Sequence, residues 1–173
     1  TFGRMLSEDY EVYLVDQRNH GSSPHTDEHN YKSMAEDLKE WMEDQDLESA
    51  HFIGHSMGGK TALTFALMYP ELARSVVSID MGVKKYEGSH ERFFSAMFSL
   101  PIDDIQSRSE AEEHLRKQVP ENAIRMFLMK NIDRNPEGGY RWKFNLQQLY
   151  DDYEGILDAI DIDAQYDKDV LIV

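Results

Sequence analysis

The chain has no cysteine, which excludes disulfides, thiolate nucleophiles and cysteine-bound metal within it. No apolar run approaches the roughly 20 residues that a membrane-crossing helix needs. Basic residues are scarce: 18 Lys and Arg stand against 33 Asp and Glu, for a net charge of −15. That balance argues against nucleic acid or an anionic membrane as a partner, and it sits awkwardly with a phosphate-rich ligand. The acidity itself reads as solvated, solubilising faces. There is no signal-peptide pattern, but the chain begins at Thr1 rather than Met. A targeting segment could therefore precede it, and the cytoplasm is the default location. Internal repeats and low-complexity linkers are also lacking, and nothing indicates an oligomeric state. What is present is 173 residues at 40% hydrophobic content, enough for one domain or most of a larger one.

One stretch organises the rest. Residues 50–53 form an apolar run, residues 61–69 an amphipathic helical pattern, and between them lies Gly54-His55-Ser56-Met57-Gly58. Gly-x-Ser-x-Gly between a strand and a helix is the context of a nucleophile elbow, where a strained turn lifts the serine hydroxyl clear of the sheet. Gly54 and Gly58 are expected to be glycines because side chains there would collide as strand and helix approach. The Met57 N–H is then aimed at a developing oxyanion, and the positive end of the helix adds to it. The same letters also spell a P-loop, Gly54-x-x-x-x-Gly59-Lys60-Thr61. Val76-Val77-Ser78-Ile79-Asp80 would then pass for the strand that ends in a magnesium-holding Asp. The motif by itself leaves both readings open.

Residues 1–9 look like the tail of a helix, with Phe2, Met5 and Leu6 on one face. Residues 11–15 read as a short strand ending at Asp16, and residues 17–24 as a loop. Residues 31–44 are helical, since Met34, Leu38, Trp41 and Met42 recur at helical spacing, with Ser33 as the expected cap. The elbow helix is ended with help from Pro70, and residues 75–79 read as another strand. Alternating helices and strands imply an α/β fold with a mostly parallel sheet. Sites in such sheets form at the carboxyl ends of strands, so Asp16, Ser56 and Asp80 are expected along one edge.

Beyond Gly82 the character changes to helical patterns without a convincing strand. Phe93, Phe94, Met97, Phe98 and Leu100 form one apolar cluster, and Ala123, Ile124, Phe127 and Leu128 another. Two short helices are expected around Leu146, Leu149 and Tyr150 and around Ile156, Leu157 and Ile160, with a turn at residues 135–139. We read residues 1–83 as a partial core, 84–165 as an inserted helical cap, and 166–173 as a return to the core through a buried strand at Val170-Leu171-Ile172-Val173. The chain starts inside a helix pattern and stops inside a strand pattern, so the fold is expected to be incomplete at both ends.

Asp16-Gln17-Arg18-Asn19-His20-Gly21-Ser22-Ser23-Pro24, together with Phe52-Ile53-Gly54-His55-Ser56-Met57-Gly58-Gly59-Lys60, resembles the α/β-hydrolase superfamily. Within it the resemblance is to the YbfF-type bacterial esterases and their eukaryotic abhydrolase relatives. Val77-Ser78-Ile79-Asp80 and Tyr140-Arg141-Trp142-Lys143-Phe144-Asn145 are similar to that group as well. A P-loop does not account for the loop at 16–24, so the resemblance favours the hydrolase. It implies cleavage of small-molecule esters or thioesters through an acyl-enzyme, with no cofactor. Ser56 is the implied nucleophile and Met57 N–H one oxyanion donor; the second donor is expected before Thr1. Asp80 matches the acid of the YbfF-like group, although most of the superfamily places its acid at a position just past Val173. The histidine base is expected beyond Val173, which would leave the chain as it stands inactive.

His90 and His114 read as bystanders and His55 as a packing residue. The 16–24 loop is expected to brace the carboxyl edge of the sheet, with Arg18 paired to a carboxylate. Met81, Phe94, Met97, Phe98 and Trp142 are candidates for an acyl pocket. The spacing of His20, His25 and His29 fits no zinc pattern, so no metal is expected. Other readings are a C–C bond hydrolase or lyase on the same fold, a P-loop nucleotide-binding protein, and a ligand-binding homologue without turnover.

Overall fold

Met34, Ala35, Leu38 and Met42 recur on one side of a helical turn, and this side becomes the buried face of helix α2 (Tyr31–Asp44). The structure, a computed structural model, describes residues 2–88, 90–136 and 138–173. Ahead of α2 lies a short helix, α1 (Phe2–Leu6). The start of α2 corrects the expected cap. Asn30, in extended conformation, accepts the Ser33 N–H at 2.9 Å, while the Ser33 hydroxyl donates to Glu28 at 2.8 Å. Asparagine and serine cap about equally well, so composition could not choose between them.

Strand β1 (Ala50–His55) leads into helix α3 (Met57–Met68), and the chain returns as strand β2 (Ala73–Ile79) parallel to β1. Strand β5 (Val170–Ile172) lies parallel on the other side of β2, giving the order β1-β2-β5. One core forms where α2 and α3 cover this sheet, with Leu38, Met42, Phe65, Ala66 and Val76 at its centre. Burial of each large side chain there is worth about 1.5–3 kcal/mol.

Two strand expectations are corrected. Residues 11–15 join no ladder among the described residues. Tyr13 rests edge-on against Trp41, with ring centroids 5.1 Å apart, and Leu14 is 83% exposed. Strand propensity becomes a strand only through a partner's hydrogen bonds, and among the described residues β1 is paired with β2 alone. Of residues 170–173, Val170–Ile172 do form a strand, but the run is exposed rather than buried, because among the described residues the strand pairs only with β2, at the rim of the sheet.

After β2 come α4 (Glu91–Ser99), α5 (Arg108–Arg116), α6 (Asn122–Lys130), a hairpin of β3 (Ile132–Arg134) and β4 (Tyr140–Trp142), then α7 (Leu146–Asp151) and α8 (Tyr153–Leu157). These elements surround a second core built on Phe94, Met97, Leu100, Leu115, Leu128, Ile132 and Tyr140. The antiparallel hairpin is a further departure from expectation. Its strands are three residues each, too short to display an alternating pattern. The turn at residues 135–139 is closed by Gly138 N–H donating to Asn135 C=O at 3.0 Å; Glu137 lies outside the described residues. No helix among the described residues is long and apolar enough to cross a membrane.

Candidate active site

β1 ends at His55 and α3 begins at Met57, so Ser56 alone makes the turn, with φ 52° and ψ −121°. A non-glycine residue in this region is strained by about 1–3 kcal/mol and persists only where its surroundings enforce it. Here the Ser56 N–H donates to Ile79 C=O at 2.8 Å, and the Ser56 C=O accepts the Lys60 N–H at 3.1 Å. The close approach of strand and helix requires glycine at 54, where a Cβ would stand 2.2 Å from the Gly58 carbonyl group. Gly58 itself is not sterically required: a Cβ there meets nothing within 4 Å. The jammed partner is Gly59, whose Cβ would lie 2.3 Å from Ser78 Oγ. A helix rotates about 100° per residue, and that rotation turns Gly59 rather than Gly58 toward the sheet. The Met57 N–H belongs to the first turn of α3, where no acceptor exists within the helix.

Asp80 follows Ile79 as Ser56 follows His55, and His55 and Ile79 are partners across the ladder. The two residues therefore leave adjacent parallel strands at one level, on strands about 4.8 Å apart. Asp80 has φ 60° and donates its N–H to Val173 C=O at 2.7 Å. It lines an open depression of about 470 Å³ with Met81, Lys84, Tyr86, Ile172 and Val173. Asp16 is not brought to them by any contact. Its carboxylate accepts Ser22 N–H at 2.9 Å, inside its own loop.

Among the described residues no histidine hydrogen-bonds the Ser56 hydroxyl. His90 Nδ1 meets the Tyr153 hydroxyl, and His114 Nε2 lies 3.1 Å from Ser99 Oγ. His55 sits on the outward side of β1's alternation and is exposed. The side chain that does reach the elbow is His29, which sequence reasoning treated only as part of a poor metal pattern. It is buried, with Nε2 3.3 Å from Met57 Sδ and Nδ1 without a hydrogen-bond partner among the described residues. Burial chiefly, and then the neighbouring His20, lower its pKa to about 4, so the ring is neutral at pH 7. His20 is 5.4 Å from it between ring centroids. No group of three or more metal-capable side chains occurs among the described residues.

The 16–24 loop braces the helical elements rather than the sheet edge. Asn19 is fully buried at φ 64°. Its C=O accepts Asn145 N–H at 2.9 Å, and its Oδ1 accepts Asn145 Nδ2 at 3.2 Å and Thr26 N–H at 2.8 Å. His20 bridges to Phe144 beside it. Arg18 meets Asp37 through two parallel bonds, of 2.6 and 2.7 Å, the fork geometry that favours arginine. Lys60, which the P-loop reading would place on a phosphate, is walled off. It is fully buried, its ammonium donates to Asp158 C=O, and the rings of Tyr31 and Tyr86 lie 5.2 and 5.3 Å away.

Three of the five pocket candidates, Phe94, Met97 and Trp142, meet in or against the second core, and Met81 stands apart from them. Phe94 and Met97 are buried in the second core. Phe98 is exposed and meets Tyr150 edge-on at 5.4 Å. Trp142 stacks on Phe144 at 5.4 Å. Met81 alone lines the depression beside Asp80.

Residues 2–156 match the family described as alpha/beta hydrolase fold. Esterase YbfF of Escherichia coli is 34% identical over 155 residues, covering 89% of this chain and 59% of that protein. The sn-1-specific diacylglycerol lipase ABHD11 of Danio rerio is 34% identical over 169 residues, covering 94% of this chain and 53% of that one. A solved marine microorganism esterase superposes with a TM-score of 0.93 at 39% identity, over 98% of this chain and 67% of its own. The chain thus spans a little over half the length of these curated relatives.

Proposed function

Because the chain belongs to the α/β-hydrolase family, we propose that it carries the nucleophile and acid of a serine hydrolase acting on small-molecule esters or thioesters. The observation that carries this reading is Ser56 held at φ 52° between β1 and α3, with Asp80 one strand away at the same level. Ser56 Oγ attacks the carbonyl carbon, and its proton passes to a histidine supplied from outside the described residues. The Met57 N–H and a second donor, also from outside, hold the tetrahedral oxyanion. Collapse breaks the bond to the alcohol or thiol, which leaves with the proton, and Ser56 remains acylated. Water, deprotonated by the same histidine, then releases the acid and restores the serine. Asp80 orients the imidazole and stabilises its cationic form.

Residues 84–165 act as a cap in this reading, and Met81, which lines the depression beside Asp80, is the pocket candidate best placed for the acyl site. The names of the two curated relatives, an esterase and a diacylglycerol lipase, describe acyl-ester chemistry of the same kind. The buried Lys60 opposes the nucleotide alternative.

The test uses the full-length protein. A fluorophosphonate is expected to label Ser56, and Ser56→Ala to abolish labelling and to cut ester turnover by about 10⁴-fold or more. Asp80→Asn is expected to lower kcat by about 10³–10⁴-fold. The 173-residue chain alone is expected to show no turnover. Undiminished turnover in Ser56→Ala would overturn the assignment, and an unlabelled wild type would make the protein a binder rather than an enzyme.

A further inference from the structure

Residues 80–86 lead out of β2 toward the helical elements, and residues 156–160 lead back. The two crossings are laced together. Tyr86 N–H donates to Leu157 C=O at 2.8 Å, Ile160 N–H donates to Val83 C=O at 2.9 Å, and Lys85 pairs with the Asp158 carboxylate. The Tyr86 hydroxyl accepts Gly82 N–H at 2.7 Å, two residues after Asp80. Lys60, in the first turn of the elbow helix, reaches both crossings. Its ammonium donates to Asp158 C=O on the returning crossing and faces the ring of Tyr86 on the outgoing one. Tyr31, which closes the other side, donates its hydroxyl to Ile156 C=O at 2.8 Å.

Among the described residues no carboxylate lies within ion-pair distance of Lys60; the Asp158 carboxylate favours its charge only from farther away and is itself bonded to Lys85. A buried cation in direct contact with a carbonyl and two ring faces carries a desolvation cost that an apolar side chain of equal length would not, and burial outweighs the pull of Asp158 in lowering its pKa. Packing alone would be served better by such a side chain. The ammonium adds directed contacts to three separate segments, and its own backbone N–H is bonded to Ser56 C=O.

We propose that Lys60 is a positioning residue: its caged ammonium pins both crossings onto the elbow helix and so sets the spacing between Ser56 and the helical cap where the acyl chain lies. The acyl part rests on the serine-hydrolase reading; the pinning does not.

The experiment uses the full-length protein and Lys60→Met, which keeps the length and removes the charge. In hydrogen exchange, the Tyr86 and Ile160 amides are expected to exchange about tenfold faster or more, a loss consistent with two ring contacts to a desolvated cation. Core amides such as those of Phe65 and Val76 keep their protection. In kinetics normalised to fluorophosphonate-titrated sites, KM for an octanoyl ester is expected to rise about fivefold or more relative to an acetyl ester, the lower range of coupling between sites. The kcat on the acetyl ester stays within about twofold. Unchanged exchange at Tyr86 and Ile160 overturns the pinning. Faster exchange with equal losses on both esters overturns the effect on the acyl site. A wild type that neither labels nor turns over esters defeats the hydrolase reading instead, while the exchange result still judges Lys60. If Lys60→Met does not fold, Tyr86→Leu removes one wall of the cage from a half-buried position and is held to exchange at Ile160 alone, where unchanged protection overturns the pinning.

Discussion

Gly54→Ala and Gly58→Ala place the same methyl group on either side of Ser56, and the structure separates them sharply. At 54 the new Cβ would stand 2.2 Å from the Gly58 carbonyl carbon and oxygen and 2.5 Å from the Gly59 nitrogen, where ordinary contact begins at 3.4 Å. All three are backbone atoms inside the first turn of α3, so no rotamer change relieves the clash. β1 and α3 would have to part by about 1 Å, lifting Leu63 and Phe65 out of a core packed to crystal-like density. Overpacking costs about 1–3 kcal/mol, and a backbone clash belongs at the upper end. In a chain of roughly 150–250 residues about 3 kcal/mol lowers Tm by about 6–12 °C, and in a longer full-length protein by less. At 58 the methyl meets nothing within 4 Å among the described residues. Alanine is the better helix former by about 0.5–1 kcal/mol, a gain reduced in the first turn, so Gly58→Ala is expected to be neutral or slightly stabilising. Urea midpoints and Tm of the full-length variants, followed by tryptophan fluorescence, measure the contrast. Equal shifts for the two substitutions would refute the argument.

Two further outcomes follow from the residues around the elbow. His29 has a folded pKa of about 4 against an ordinary 6.5, so the unfolded chain binds the extra proton. Its contribution is fully present above about pH 6.5 and is lost as pH falls toward 4. Between pH 7 and 5 it amounts to about 2 kcal/mol, seen as a fall in urea midpoint that His29→Gln lacks; parallel pH profiles for the two proteins would contradict it. Asn19→Ala loses the side-chain bonds and also places a Cβ-bearing, non-hydrogen-bonding residue at φ 64°, whereas Asn19→Gly loses only the bonds. Alanine is therefore expected to be less stable than glycine by about 1 kcal/mol in urea unfolding, and equal stabilities would show that the left-handed backbone does not matter there.

How much of this was readable beforehand depends on whether a feature lies along the chain or between distant parts of it. Helix α2 and the β1–α3–β2 unit write their burial as periodicity, so Met34, Leu38, Phe52 and Val76 announce a core without coordinates. Ser56 and Asp80 follow from strand ends and a short motif. Lys60 was unreadable in its actual role, because a lysine in a helical pattern reads as solvent-facing, and its cage comes from Tyr31, Tyr86 and Asp158. The Asn19–Asn145 and His29–Met57 contacts are tertiary in the same way. The exchange of roles between Gly58 and Gly59 turned on one residue's rotation about a helix axis. Residues 11–15 had strand composition but no neighbouring strand to make it one.

The bare outer edge of β1 and the exposed residues 170–173 have a consequence for handling the polypeptide. Ile53 is 45% exposed beside a row of strand N–H and C=O groups with no partner on that side among the described residues, and Val170-Leu171-Ile172-Val173 is an apolar, uncharged run, β-branched at three of its four positions and without proline. Such edges template the addition of further copies. Produced as these 173 residues, the chain is expected to self-associate strand to strand. Its net charge of −15 keeps faces apart through solvent but leaves those two rims free to recruit another copy.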